Sequence, residues 1–158
     1  MPDQPELPIT RRAARAILFD GEGRVVLFKR TKPGRDPYWT TPGGGVEPAD
    51  ASLEATLRRE LREELGAEVS GISRVFLHTA PSHSGSGLHV HHFFIARLEK
   101  LDPSLRDGPE FLNPANGVYD IHRVSLDSDD IAAIDLRPAI LKEFILTNRH
   151  ALLDEVAL

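Results

Sequence analysis

Residues 43–66 read Gly43-Gly44-Gly45-Val46-Glu47-Pro48-Ala49-Asp50-Ala51-Ser52-Leu53-Glu54-Ala55-Thr56-Leu57-Arg58-Arg59-Glu60-Leu61-Arg62-Glu63-Glu64-Leu65-Gly66. Leu53, Leu57, Leu61 and Leu65 recur every four residues, which predicts a helix over about Ala51 to Leu65 with one apolar stripe. Asp50 or Ser52 can cap its start, and Gly66 stands where a left-handed C-terminal glycine belongs. Helix positions three and four apart share a face, so Glu60, Glu63 and Glu64 converge beside the stripe. Carboxylates crowded in this way repel and raise one another's pKa, a strain that a divalent cation relieves. Hard oxygen ligands suit Mg²⁺ or Mn²⁺, which leave their remaining positions to water and phosphate. The same face also reads as a solvated one whose glutamates pair with Arg58, Arg59 and Arg62. The upstream glycines favour the ligand reading, because backbone without Cβ atoms admits close approach.

Outward from this stretch, Ala13–Phe19 and Arg24–Arg30 are rich in Ile, Leu, Val and Phe and are separated by Asp20-Gly21-Glu22-Gly23, which predicts a β-hairpin. Tyr38–Pro42 reads as a short strand running into the glycines. Downstream, Val69–Thr79 and Leu88–Leu98 read as strands around a Ser/Gly/His loop, and Val118–Val124 as a further strand. Asp102–Asn116, with three prolines and one glycine, reads as a loop lying over a site. Ile140, Leu141, Phe144 and Ile145 place a second helix within 137–149. Strands on both sides of the first helix and a helix at the end predict a sheet with helices packed on it.

The chain has 158 residues, 41% hydrophobic and 27% charged, which fits one folded domain over 11–158 preceded by a loose arm over 1–10. Nineteen Lys and Arg against 24 Asp and Glu give a formal charge of −5, which disfavours wrapping by a nucleic-acid backbone but not a small phosphorylated ligand. The absence of cysteine excludes disulfides, thiolate metal sites and a cysteine nucleophile. No apolar run is long enough for a signal peptide or a membrane span, so a cytoplasmic location is expected.

Arg59-Glu60-Leu61-Arg62-Glu63-Glu64-Leu65-Gly66-Ala67 resembles the second half of the Nudix box, and Trp39-Thr40-Thr41-Pro42-Gly43-Gly44-Gly45-Val46-Glu47 resembles the approach to it. The usual box runs Gly, five residues, Glu, seven residues, Arg-Glu. Reading forward from Gly44 places Asp50 in the first acidic slot, with one extra residue in the turn entering the helix. Reading back from Arg59 places Ala51 there and Gly45 in the glycine slot. We prefer the first register, with Asp50 standing in for Glu.

The resemblance implies an α/β fold, a mixed β-sheet packed between α-helices, and a MutT-like hydrolase that cleaves the diphosphate bond of a nucleoside diphosphate linked to another moiety. It implies Mg²⁺ (or Mn²⁺) held by Glu60, Glu63 and Glu64 with the Gly43 carbonyl, a catalytic set of Glu60, Arg59 and Glu63, and Arg59 orienting Glu60 through a salt bridge. Gly44 and Gly45 would contact substrate, with Glu47 and Glu110 as further candidates and Glu110 as an alternative base. The partner would be a small nucleoside diphosphate derivative, and a homodimer is compatible with the family. The competing class is a Nudix-fold nucleotide-binding or regulatory module without catalysis.

Outside this stretch, His89 and His91 alternate onto one strand face near His92, His78 and His83. A zinc site, substrate contacts and an exposed polar face are the three readings of this cluster, zinc being the least favoured. Tyr38 and Trp39 suit base stacking or a core anchor. Arg11, Arg12 and Arg15 suit phosphate contacts or a solvated strand start.

Overall fold

Asp20 makes the first turn by itself. Its carboxylate accepts the backbone N–H groups of Glu22 and Arg24 at 2.8 and 3.0 Å, and Gly23 takes the positive φ of 76° that closes the reversal. The structure, a computed structural model, describes residues 6–108, 111 and 113–157. On either side of this turn lie β1 (Ile9–Phe19) and β2 (Arg24–Thr31). The chain continues through β3 (Tyr38–Thr40), β4 (Gly43–Gly45), α1 (Leu53–Leu65), β5 (Ala67–Pro81), β6 (Leu88–Leu101), β7 (Val118–Ser125), α2 (Asp130–Ala133), β8 (Leu136–Arg137), α3 (Ala139–Thr147) and α4 (Arg149–Val156).

The hairpin is splayed. β1 pairs with β2 only at Leu18 with Val26 and Phe19 with Val25. Farther back, the same edge of β1 pairs with β4, Ala13 to Arg15 facing Gly45 to Gly43. β2 in turn gives its far end to β3 and its whole other edge to β7. The other edge of β1 runs parallel to β6, which pairs antiparallel with β5. Between the diverging halves of β1 and β2 the sheet opens, and this opening holds the site.

Alternation along the central strands builds a core on each face. Ala14, Ala16 and Leu18 of β1, with Val26 and Phe28 of β2, pack beneath Leu57, Leu61 and Leu65 of α1. Ile17, Phe19, Val25 and Leu27 pack on the opposite side against Leu141 and Ile145 of α3 and Leu152 of α4. Helices therefore cover both faces of a mixed sheet, the expected α/β/α arrangement. Each fully buried leucine of α1 contributes about 1.5–3 kcal/mol.

α1 begins at Leu53 rather than near Ala51 because Ser52 is its cap: its backbone is extended and its hydroxyl accepts the Ala55 N–H at 3.0 Å. Gly66 ends the helix at φ 61° and donates to the Arg62 carbonyl at 2.9 Å. The expected arm over 1–10 ends sooner than its composition suggests. The Pro8 carbonyl accepts the Leu88 N–H at 2.8 Å, and Ile9 and Thr10 already belong to β1. The expected helix within 137–149 is α3, which ends at Asn148, whose side-chain amide donates to the Phe144 carbonyl at 2.9 Å; a further helix, α4, follows it. Within the expected loop, Arg106 donates to the carbonyls of Glu64 at 2.7 Å and Tyr119 at 3.1 Å.

Candidate active site

Arg59 organises the residues around it. Its Nε and Nη2 donate to the two oxygens of Asp50 at 3.0 and 2.9 Å, a two-pronged pair that only a guanidinium supplies. Nη2 also donates to the Gly45 carbonyl at 3.0 Å, and Nη1 reaches Glu60 at 3.0 Å and Glu63 at 3.3 Å. Asp50 further accepts the Thr56 hydroxyl at 2.8 Å and the Glu47 N–H at 2.9 Å. Arg59 above all, then these two donors, hold the Asp50 carboxyl far below the usual carboxylate range. Asp50 in its turn raises the Arg59 guanidinium, with Glu60 adding to the effect. The acid ahead of the helix thus clamps the arginine that holds Glu60, in the register that places Asp50 in the acidic slot.

Glu60 lies over the glycine strand. A Cβ on Gly44 would sit 2.5 Å from its Cδ, so only glycine leaves the carboxylate its place. Glu64 is 8% exposed and accepts the Gly43 N–H at 3.2 Å. Both line a cavity of about 270 Å³ together with Gly43, Gly44, Gly45, Arg11, Arg15 and Arg30. Glu63 lies outside this cavity, with its carboxylate on Arg59 and its carbonyl accepting the N–H groups of Asp107 and Gly108. Glu47 is exposed and is not among the residues lining this cavity; its carboxylate lies 3.5 Å from Arg59. Glu110 lies outside the described residues.

The cavity brings together two carboxylates, glycine backbone and three guanidinium groups. Among the described residues, no three His, Cys, Asp or Glu side chains form a ready-made metal cage. That donor set fits Mg²⁺ or Mn²⁺, which take one or two carboxylates and complete their shell with water and substrate phosphate. Glu60 and Glu64 are the side chains that would hold such an ion.

Several lining residues carry no motif. Arg30 is fixed by the Asn116 carbonyl at 2.7 Å and stacks 3.5 Å from the Tyr119 ring centre, a meeting set by the pairing of β2 with β7. Arg11 and Arg15 reach the cavity from one face of β1, and their spacing along a strand beside a glycine run was the available signal. Arg15 also lines a second cavity of about 550 Å³, with Thr40, Thr41, His91, Asp135, Arg137, Pro138 and Ala139.

The histidines separate across the sheet. His92 is buried on the α1 side, next to Arg12 and Arg74, and burial followed by those cations lowers its pKa. His91 lies on the other side, stacked on His78, and accepts Arg15 Nε at 3.4 Å. Burial, then Arg15 and its neighbours, lower His91 to about 4, so the imidazole is neutral. Trp39 packs against the α3 and α4 core and donates its Nε1–H to His122 at 2.8 Å, the anchor reading of that residue. No helix among the described residues is long and apolar enough to cross a membrane.

The chain is 39% identical over 74 residues to an RNA pyrophosphohydrolase of Gluconacetobacter diazotrophicus, covering 43% of each protein. It is 39% identical over 69 residues to the nucleoside triphosphatase NudI of Klebsiella pneumoniae, covering 40% of this chain and 43% of that one. It thus spans about two fifths of the length of these curated relatives. The fold is shared with the NUDIX domain of Shewanella oneidensis NrtR, solved with ADP ribose, at a TM-score of 0.63 and 21% identity over 95% of this chain and 90% of that one. The family description for the NUDIX domain matches residues 9–136, a span that takes in the splayed strands, the glycine strand and the whole of α1, and the chain belongs to the NUDIX family.

Proposed function

We propose that this protein is a Mg²⁺-dependent pyrophosphohydrolase that cleaves the diphosphate bond of a nucleoside diphosphate linked to another moiety. One observation carries the reading: Glu60 and Glu64 face the same cavity as Arg11, Arg15 and Arg30, over a glycine floor. A diphosphate is the ligand that needs both halves of that lining. When bound, Mg²⁺ supplies neutralisation of charge on the phosphate oxygens and acidification of water.

The chain's own residues do the rest. Arg59, locked by Asp50, holds Glu60 where the carboxylate can accept a hydrogen bond from the attacking water and take its proton. As the water oxygen bonds to phosphorus, the bridging P–O bond breaks and the departing phosphate leaves as an anion. Arg11 and Arg30 face the charge that develops on it. Glu64, fixed by the Gly43 N–H, shares the ion-holding role with Glu60.

The test is hydrolysis with Mg²⁺ of nucleoside triphosphates and their oxidised forms, ADP-ribose, NADH, nucleotide sugars, dinucleoside polyphosphates and 5′-triphosphorylated RNA, read as phosphate or pyrophosphate from the triphosphates and as the two phosphorylated fragments from substrates whose phosphates bridge two groups. Glu60→Gln and Glu64→Gln are each expected to lower turnover by roughly 10² to 10⁴, the range for a positioned acid/base group. Chelation by EDTA should abolish release and added Mg²⁺ restore it. Full activity in both purified variants overturns the assignment. Tight nucleotide binding with no hydrolysis of any substrate would instead leave a binding module.

A further inference from the structure

Arg15 presents an electrostatic anomaly. It is only partly exposed, it lines both the Glu60/Glu64 cavity and the larger one, and burial draws its pKa down against the opposing pull of Glu64. Among the described residues its side chain makes no salt bridge, and its one side-chain hydrogen bond runs from Nε to the neutral His91 ring at 3.4 Å. Arg59 is engaged by Asp50, Arg30 by Asn116 and Tyr119 and Arg137 by Asp135, while Arg11, a further guanidinium lining the Glu60/Glu64 cavity, is exposed to water. A guanidinium withdrawn from water without a bound anion is costly, and proteins retain such a group where a ligand completes it.

The surroundings indicate where that ligand runs. The two cavities share Arg15, Thr40 and Thr41. Thr41 is 2% exposed, and its hydroxyl has no hydrogen-bond partner among the described residues. Beyond this shared wall the larger cavity, about 550 Å³, is bounded by His91, Arg137 and the first turn of α3 at Pro138 and Ala139. That volume lies in the range of small-molecule sites and suits a group of nucleoside size.

We propose that Arg15 is the substrate-anchoring residue at the junction of the two cavities, binding the phosphate that leads out of the Glu60/Glu64 cavity, so that the ligand is a diphosphate whose attached group occupies the larger cavity. His91 positions the guanidinium from behind by accepting its Nε–H, which leaves the two Nη groups for the phosphate. The inference rests on the proposed diphosphate chemistry for the identity of the anion, and binding measurements separate the two.

The experiment titrates methylenediphosphonate, a non-hydrolysable diphosphate, with Mg²⁺ present, into the native chain, Arg15→Met and Arg15→Lys, with melting temperature as the check on folding. Arg15→Met is expected to weaken binding by about 10- to 100-fold, the loss of charge-assisted hydrogen bonds, and Arg15→Lys to recover part of it. With a hydrolysed substrate, Arg15→Met should raise KM by a similar factor and change kcat by less than about threefold. Ala139→Trp should raise KM for substrates carrying a bulky group and leave methylenediphosphonate binding unchanged. Native binding that Arg15→Met and Arg15→Lys both retain in full overturns the anchor, as does a loss confined to kcat. Arg15-dependent binding in a chain that hydrolyses nothing would keep the anchor and discard the hydrolase.

Discussion

A single methyl group at position 44 should disable the protein without unfolding it. Gly44 has no positive φ, so alanine fits the backbone, but its Cβ would lie 2.5 Å from Glu60 Cδ and 2.6 and 2.7 Å from the carboxylate oxygens. Carbon atoms settle at about 3.5 Å or more, so the carboxylate must retreat by about 1 Å. It is the far end of a flexible side chain, which makes the retreat inexpensive for folding. For chemistry, a displacement of about 1 Å costs on the order of 10² in rate. Gly44→Ala is therefore expected to melt within a few degrees of the native chain and to turn over about 100-fold more slowly in a Mg²⁺-supported release assay. In a Glu60→Gln background the same change should cost almost nothing more, because both substitutions act through one carboxylate. A Gly44→Ala enzyme with kcat within about threefold of native, or a full additional loss in the Glu60→Gln background, refutes the placement of Glu60.

Gly43→Ala should behave in the opposite way: φ is 142° and the new Cβ would meet the Ala14 carbonyl oxygen at 2.2 Å, so denaturant unfolding should show a loss of at least about 2 kcal/mol. Arg59→Lys keeps a charge but loses the two-pronged hold on Asp50, and kcat/KM measured with Mg²⁺ should drop at least about tenfold with a lower melting temperature; unchanged kinetics would contradict the role given to Arg59. His91 is neutral in the fold down to about 4, whereas the unfolded chain protonates it near 6.5, so stability present above that range should decline as pH falls from about 6.5 to 4. His92, also lowered, adds to that decline. Urea unfolding at several pH values should therefore give a shallower slope for His91→Gln than for the native chain, and identical slopes would count against a neutral His91.

The sequence was most legible where periodicity is long. Four leucines at fourfold spacing and a capping serine mark α1 to within two residues, and the glutamates on its flank follow from helix geometry alone. The same geometry overstates their agreement, since Glu63 turns to Arg59 and leaves Glu60 and Glu64 in the cavity. α2 and β8 are too short to leave a periodic trace. Arg30 meets Tyr119 by the pairing of β2 with β7, and Arg15 meets His91 across the neighbouring strands β1 and β6, residues 89 and 76 positions apart, information that no local pattern contains. Asp50 sits between these cases: motif spacing nominated it, and only the two-pronged bond to Arg59 shows why an aspartate can serve with one more residue in the turn.

β1 serves core and cavity on alternating residues. Ala14 and Ala16 are small where α1 lies over the sheet, and Arg11 and Arg15 between and before them line the cavities. A slip of one residue would exchange the two sets, thrusting a guanidinium beneath α1 and delivering a methyl group to the cavity. The first half of this strand therefore has a grain. It tolerates substitution along one parity, where changes retune recognition, and rejects insertion or deletion, where one event would damage core and cleft together. Variation in ligand preference among proteins built this way should be found as exchanges at positions such as 11 and 15, with the length of β1 held constant.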